Sequence, residues 1–156
     1  MDFTRKARFV ANPHGGDSTA PDVVKSSPIN TYASVVSRES FSIAFLLAAL
    51  TDLVLMAADI ANAYLNAPCR EKIYITCGIE FGDNNCGKKT KIVKALYGLF
   101  SSGASWRSLI SETLQVNLGF MPCRADADVW LRPAEKADGT KYYEYVLVYA
   151  DDLLWR

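Results

Sequence analysis

Two stretches of this chain repeat apolar residues at helical spacing, and several shorter ones alternate or run continuously apolar between turn residues. From Ser37, serine and glutamate supply helix-start chemistry. Phe41, Phe45, Leu46 and Ala49 then recur with Leu50 completing an apolar face, which predicts a helix of about three turns. Residues 53–58 form a short apolar run between Asp52 and Asp59, the size of a strand buried on both faces, and its end delivers Asp59. Residues 72–76 alternate charge with β-formers, and residues 91–95 form a second β-like run. Gly78, Gly82 and Asp83-Asn84-Asn85 break the chain between them, so a hairpin is predicted.

Trp106, Leu109, Ile110, Thr113, Leu114 and Leu118 trace one face of a second helix, with Ser102 near its start and Gly119 where a C-terminal cap belongs. It is expected to pack behind a sheet. Residues 128–132 and 141–150 are β-rich segments joined through Pro133 and Asp138-Gly139, the last hairpin expected whole. Upstream, residues 6–11 read as a short basic strand and residues 12–30 as a long loop of Pro, Gly, Ser, Asp and His. Strands mixed with two helices that do not alternate as βαβα units predict an α+β fold, an antiparallel sheet covered on one face by helices.

Composition narrows the picture. At 156 residues, with 50% hydrophobic and 22% charged residues, the chain suits one domain with a real core. A formal net charge of zero argues against bulk electrostatic capture of nucleic acid, so any such contact must be local. Cys69, Cys77, Cys86 and Cys123 form no CxxC pair and His14 is distant in sequence. No zinc site is expected, and the thiols read as reduced and intracellular. Residues 1–8 are polar and basic, unlike a secretory signal. The longest uncharged stretch, 40–51, falls short of the roughly 18 residues of a spanning helix, so it reads as a core helix and no membrane association is expected.

The most informative segment is Tyr149-Ala150-Asp151-Asp152, two adjacent carboxylates where an alternating strand ends. Continued strand alternation would put Asp151 on the face of Tyr145, Leu147 and Tyr149 and Asp152 on the opposite one unless a turn redirects them, so a tight turn is expected. Such a pair is costly between apolar strands unless solvated or neutralised by cations. Taken alone, the pair reads as an exposed acidic turn. Asp59, ending the earlier strand, reads alone as a helix cap. Taken together, one carboxylate from a strand end and two from a hairpin turn are the donors that hard, oxygen-seeking Mg²⁺ requires for in-line nucleotidyl transfer. Residues 82–88 carry P-loop-like Gly and Lys spacing, but Lys89 stands where Ser or Thr would ligate Mg²⁺ and a β-like run follows, so a hairpin loop is expected. The tyrosines within 142–149, at period two, read as sheet core rather than base-stacking residues.

Seven landmarks now fall in order: Lys6-Ala7-Arg8-Phe9-Val10, residues 59–65 (DIANAYL), Leu96-Tyr97-Gly98-Leu99, residues 101–106 (SSGASW), Leu118-Gly119-Phe120, Arg124-Ala125-Asp126 and YADD at 149–152. In this order and spacing they resemble copia-type reverse transcriptases over nearly the whole chain. The resemblance implies a polymerase palm over residues 37–156, with part of the fingers and a long loop over residues 1–36. It casts Asp59, Asp151 and Asp152 as catalytic carboxylates holding two Mg²⁺ ions, with Mn²⁺ as an alternative, and Ile60 as a backbone-carbonyl ligand. Tyr64 matches the aromatic beneath the incoming sugar that rejects a 2′-hydroxyl, against the plainer reading of a core tyrosine. Tyr97 and Gly98 match the lining of the nucleotide and template side. Lys6 and Arg8 resemble basic fingertip residues that meet triphosphate, and read equally as a solvated basic strand.

Phe100 departs from the pattern, since most relatives carry Lys or Arg there. The chain starts inside the fingers and stops four residues after Asp152, so the strand returning from the acidic hairpin is expected to be cut short, with thumb, connection and RNase H outside the chain. The implied partners are primer-template, deoxynucleoside triphosphate and the rest of a Pol polyprotein, in a cytoplasmic virus-like particle with a nuclear phase. The rivals are a catalytically inactive remnant of a decayed element and an accessory module that binds nucleic acid without chemistry.

Overall fold

The computed structural model of the chain describes Val10 and residues 33–156. Lys6, Arg8 and the loop at 12–30 lie outside the described residues. In chain order the elements are α1 (Arg38–Leu50), β1 (Met56–Asp59), α2 (Ala63–Asn66), β2 (Tyr74–Thr76), β3 (Lys89–Lys91), α3 (Ser102–Glu112), β4 (Met121–Pro122), β5 (Val129–Glu135), β6 (Lys141–Tyr149) and β7 (Asp152–Trp155). Two compact units divide them, one containing Tyr64–Trp106 and the other built from Tyr32–Ala63 with Arg107–Arg156. The architecture mixes helices with antiparallel sheets, as the order of patterns predicts.

The second unit is organised by a five-stranded sheet in the order β1-β7-β6-β5-β4, antiparallel throughout. The β5–β6 hairpin runs in unbroken register from Val129 opposite Leu147 to Glu135 opposite Lys141. Pro133 therefore lies within β5 rather than in the connection. It sits beyond the end of β4, where β5 has a neighbour on one side only and a missing N–H is tolerated. The turn itself is made by Gly139 at φ 83° and by Asp138, whose carboxylate accepts the Thr140 N–H at 2.9 Å. That hydrogen bond holds the Asp138 carboxyl below its usual pKa.

Helix α1 is where the pattern misleads. Its packed residues are Phe41, Ala44 and Ala48, while Phe45, Leu46 and Leu50 are 53%, 58% and 72% exposed and Ala49 is exposed as well. A helix apolar nearly all round carries no periodicity that selects a face. Small side chains decide it, because Ala44 allows close approach to the sheet. Val36, Ala44, Tyr145, Leu147 and Leu154 form the core cluster, and the Tyr145 hydroxyl donates to the Ala44 carbonyl at 3.0 Å. Burial pushes the Tyr145 phenol above its usual pKa. At the helix end no glycine is present. Asp52 takes the left-handed turn instead at φ 50°, and the Leu53 N–H returns to the Ala48 carbonyl at 2.9 Å, a Schellman closure.

The run at 53–58 also differs from expectation. Only Met56–Asp59 is strand, all four residues are exposed, and β1 is the edge of the sheet rather than a doubly buried strand. The strand returning from the acidic turn, β7, has four residues against nine in β6. β7 pairs along its whole length with β6 on one side and β1 on the other.

Helix α3 buries Trp106 and Ile110, and Leu114 follows in a π-helical turn over Thr113–Asn117, where the Leu118 N–H bonds the Thr113 carbonyl five residues back. The wider turn advances the phase by one residue, so Leu118, expected on the buried face, is 46% exposed. Gly119 at φ 73° ends the helix as predicted. Arg132 braces this end. Its guanidinium donates to the Leu118 carbonyl at 2.7 Å and to Glu144, its cross-strand partner, and lies 4.5 Å from the Phe120 ring centre.

In the Tyr64–Trp106 unit, β2 and β3 form the predicted antiparallel hairpin, with Tyr74 opposite Lys91 and Thr76 opposite Lys89. The second strand begins two residues before the predicted run. Beyond β3 the backbone stays paired less regularly, Ile92 with Ile73 and Val93 with Cys69. The loop at 82–88 leads into β3 and not into a helix, with Gly82 and Gly87 both at positive φ.

Asp126 holds the start of α1. It accepts the Ser37 N–H at 2.9 Å and the Ser40 hydroxyl at 2.7 Å on one oxygen, and the Asp128 N–H at 3.0 Å on the other. Burial pushes its carboxyl up, but hydrogen bonds from Ser40, Ser37 and Asp128 outweigh that and leave its pKa at about 2. A pKa depressed from 3.8 means stabilisation that is full above pH 4 and lost as pH falls toward 2. Asp126→Asn is therefore expected to cost about 1–2 kcal/mol at pH 7, allowing for partial exposure. The difference from the unmodified chain should shrink between pH 4 and pH 2 in denaturant titrations. A difference independent of pH over that interval would count against this anchoring role.

Candidate active site

The acidic turn follows from the β6–β7 register. Tyr149 pairs with Asp152, so Ala150 and Asp151 are the two central residues of a tight hairpin. A two-residue β-hairpin needs positive φ at its first central position or at both, to match the twist of the strands. Ala150 supplies it at φ 54°, and Asp151 does not share it, the φ pattern of a type II′ turn. Glycine is the usual occupant of that position. Alanine holds it at a cost of about 1–2 kcal/mol.

The same register corrects the expected facing of the acids. Directly paired residues share a face, so Asp152 lies with Tyr149, not opposite it. On the other side of β7, Asp59 pairs with Asp152. Asp59, Asp152 and Tyr149 thus occupy one row at one end of the sheet, on the face that Tyr145, Leu147 and Leu154 present to α1. Tyr149 meets Phe41 of α1 with ring centres 6.5 Å apart. Asp151 projects from the turn itself, and its carbonyl accepts the Ile60 N–H at 2.8 Å, tying the residue after Asp59 to the turn. Asp59 and Asp152 are exposed, and Asp151 and Ile60 are half-buried. The sequence-predicted acids and Ile60 therefore come together.

Among the described residues, no three His, Cys, Asp or Glu side chains are gathered closely enough to hold a metal ion between them. The backbone brings the three acids to one sheet end. Mg²⁺ is commonly held by one or two carboxylates completed by substrate phosphates rather than by an all-protein cage. Asp59 and Asp152 are the pair that the register sets opposite each other across β1 and β7.

Tyr64 and Tyr97 belong to the Tyr64–Trp106 unit, where their rings lie 4.7 Å apart at 42°. Both are half-buried, and Gly98 follows at φ 91°. Val10 forms a parallel bridge with Tyr97, so the end of the first landmark adjoins the third. Phe100 is 55% exposed. Glu71, which the sequence did not single out, accepts the Ser101 N–H at 2.8 Å together with its hydroxyl, at the residue preceding α3. A carboxylate there caps the helix start and faces the positive end of its dipole. Thirty positions separate the partners, so no local motif announces the cap.

A family model described as reverse transcriptase (RNA-dependent DNA polymerase) matches residues 2–156. The chain belongs to the reverse transcriptase (RNA-dependent DNA polymerase) family. The truncated transposon Ty1-A Gag-Pol polyprotein of Saccharomyces cerevisiae is 34% identical over 127 residues, covering 79% of this chain and 10% of that protein. The transposon Ty1-DR4 Gag-Pol polyprotein of the same organism is 34% identical over 127 residues, covering 79% of this chain and 7% of its own length. These relatives agree with the copia-type order of the landmarks. The chain spans a tenth or less of the length of these curated relatives. No solved structure matches.

In this reverse transcriptase chain, two like charges stand directly opposite one another on β1 and β7, an arrangement that destabilises an antiparallel pair. Without divalent cations and at low salt, Asp152→Asn is expected to raise unfolding stability by about 0.5 kcal/mol. Thermal and urea melts in EDTA measure it, and a destabilised variant would show that the opposed acids do not repel.

Proposed function

We propose that this chain carries the nucleotidyl-transfer centre of an RNA-directed DNA polymerase, the palm of a reverse transcriptase with part of its fingers. In the reaction a primer 3′-hydroxyl attacks the α-phosphate of a deoxynucleoside triphosphate and pyrophosphate leaves. The observation that supports the reading most is the pairing of Asp59 with Asp152 beside the Asp151 turn. Acids 92 and 93 positions apart along the chain reach one sheet end in a member of this family.

Asp59, Asp151 and Asp152 would hold two divalent ions, Mg²⁺ by their hard oxygen donors, with the Ile60 carbonyl as a further ligand. When bound, such ions supply the charge that activates the attacking hydroxyl and steadies the leaving oxygen. The acids would hold those ions, and the strand pairing keeps Asp59 and Asp152 in place before substrate arrives. Tyr64 takes the role of the ring beneath the sugar, where a 2′-hydroxyl would clash. Its contact with Tyr97 restricts the ring, which supports a steric part. Tyr97 and Gly98 line the nucleotide and template side, and Lys6 and Arg8 meet the triphosphate. The partners are primer-template, deoxynucleoside triphosphate and the remainder of a Pol polyprotein, in a cytoplasmic virus-like particle.

One observation favours a second reading, a chain that retains the fold without the chemistry: the three acidic side chains do not converge. Primer extension separates the two. With an oligo-dT primer on poly-A and Mg²⁺, the chain should extend the primer, and Asp151→Asn should lower the rate at least 100-fold, consistent with loss of a transition-state electrostatic contact. EDTA should abolish extension. Extension by the unmodified chain no greater than by Asp151→Asn would leave the inactive reading standing.

A further inference from the structure

Zero net charge conceals an uneven distribution. Residues 64–106 carry six basic side chains, Arg70, Lys72, Lys88, Lys89, Lys91 and Lys94, against three acids, Glu71, Glu80 and Asp83. Residues 32–63 and 107–156 carry seven basic against eleven acidic side chains. The excess of positive charge in the first group is gathered on the β2–β3 hairpin. Glu71 is turned toward the start of α3, where its Oε1 accepts both hydrogen bonds from Ser101.

The register sorts the hairpin into two faces. Tyr74 pairs with Lys91 and Thr76 with Lys89, and Lys72 and Val93 lie two residues further out on the same face. All six residues are exposed, Tyr74 at 62%. On the other face Ile73 and Ile75 are half-buried and Cys77 and Ile92 are buried. Among the described residues, Lys72, Lys89 and Lys91 form no ion pair and the Tyr74 ring contacts no other ring. Three lysines that form no ion pair among the described residues thus share one face with an exposed tyrosine ring.

From this we infer that the Lys72–Tyr74–Thr76 and Lys89–Lys91 face of the β2–β3 hairpin binds a single strand of nucleic acid. The lysines contact its phosphates and Tyr74 stacks on a base. Charge complementarity selects a polyanion, and the exposed aromatic among the cations selects one that carries π-faces. Lysine on an exposed strand also discourages edge pairing, but that role calls for no tyrosine among the lysines. The surface provides the local contact that a neutral chain needs. It deepens the polymerase reading by giving the template or primer strand a landing surface distinct from the acidic turn.

The test is fluorescence anisotropy of a labelled 20-nucleotide oligo-dT or oligo-U with the whole chain, in EDTA and without triphosphate. A chain lacking catalysis but keeping this face would still bind, so the two readings fail separately. The triple variant K72Q/K89Q/K91Q should bind at least 10-fold more weakly at 50 mM salt. Its log-affinity against log-salt slope should be shallower by about 2, three single-strand phosphate contacts at about 0.7 each. Tyr74→Ala should weaken binding several-fold with the slope unchanged. Lys136→Gln, on the β5–β6 turn, should bind as the unmodified chain does, and melting curves of all variants should superimpose. The proposal is overturned if the unmodified chain does not bind, if the triple variant keeps its affinity and slope, or if Lys136→Gln loses as much. Equal affinity for phosphatidylserine vesicles or polyglutamate would overturn it too, by showing a surface for any polyanion.

Discussion

Strand β7 is hydrogen-bonded on both sides, and the candidate site depends on that double ladder. Its first residue, Asp152, faces Tyr149 across one ladder and Asp59 across the other. Register in a β-sheet is quantised: a slip of one residue would turn every side chain to the opposite face, sending Leu154 out of the core and Asp152 away from Asp59. The apolar row of Tyr145, Leu147 and Leu154 therefore fixes the acidic row beyond it. Burial energy in the core sets the geometry of groups that are themselves exposed.

Two local costs accompany that arrangement. Ala150 occupies a left-handed conformation better suited to glycine, and two acids, Asp59 and Asp152, are paired directly across the ladder. The strand register holds both in place.

Other acids act as fasteners. Asp126 gathers the start of α1 against the approach to β5, and the adjacent Asp128, 4% exposed, holds Arg107 of α3 at 2.8 Å. Glu71 does the same for the start of α3. The 124–126 landmark thus has a structural explanation in this chain, a carboxylate that completes a helix N-terminus from far away in sequence. The acids divide by what faces them. Those met by N–H groups, hydroxyls or a guanidinium are anchors, and those met by another acid form the candidate centre.

Sequence by itself determined what consecutive residues can encode: the two long helices, the β2–β3 and β5–β6 hairpins, the tight turn at YADD, and the order of landmarks that marks the family. Alternation and turn chemistry act over a few residues, so they are legible without a partner. Tertiary structure decided what depends on partners tens of positions away. It made β1 an exposed edge, turned Ala44 and Ala48 inward instead of Phe45 and Leu46, shifted Leu118 outward through a π-helical turn, and set Asp152 on the Tyr149 face. In each case several local solutions are nearly equal in energy, and the choice among them comes from the burial and hydrogen bonding of the assembled unit.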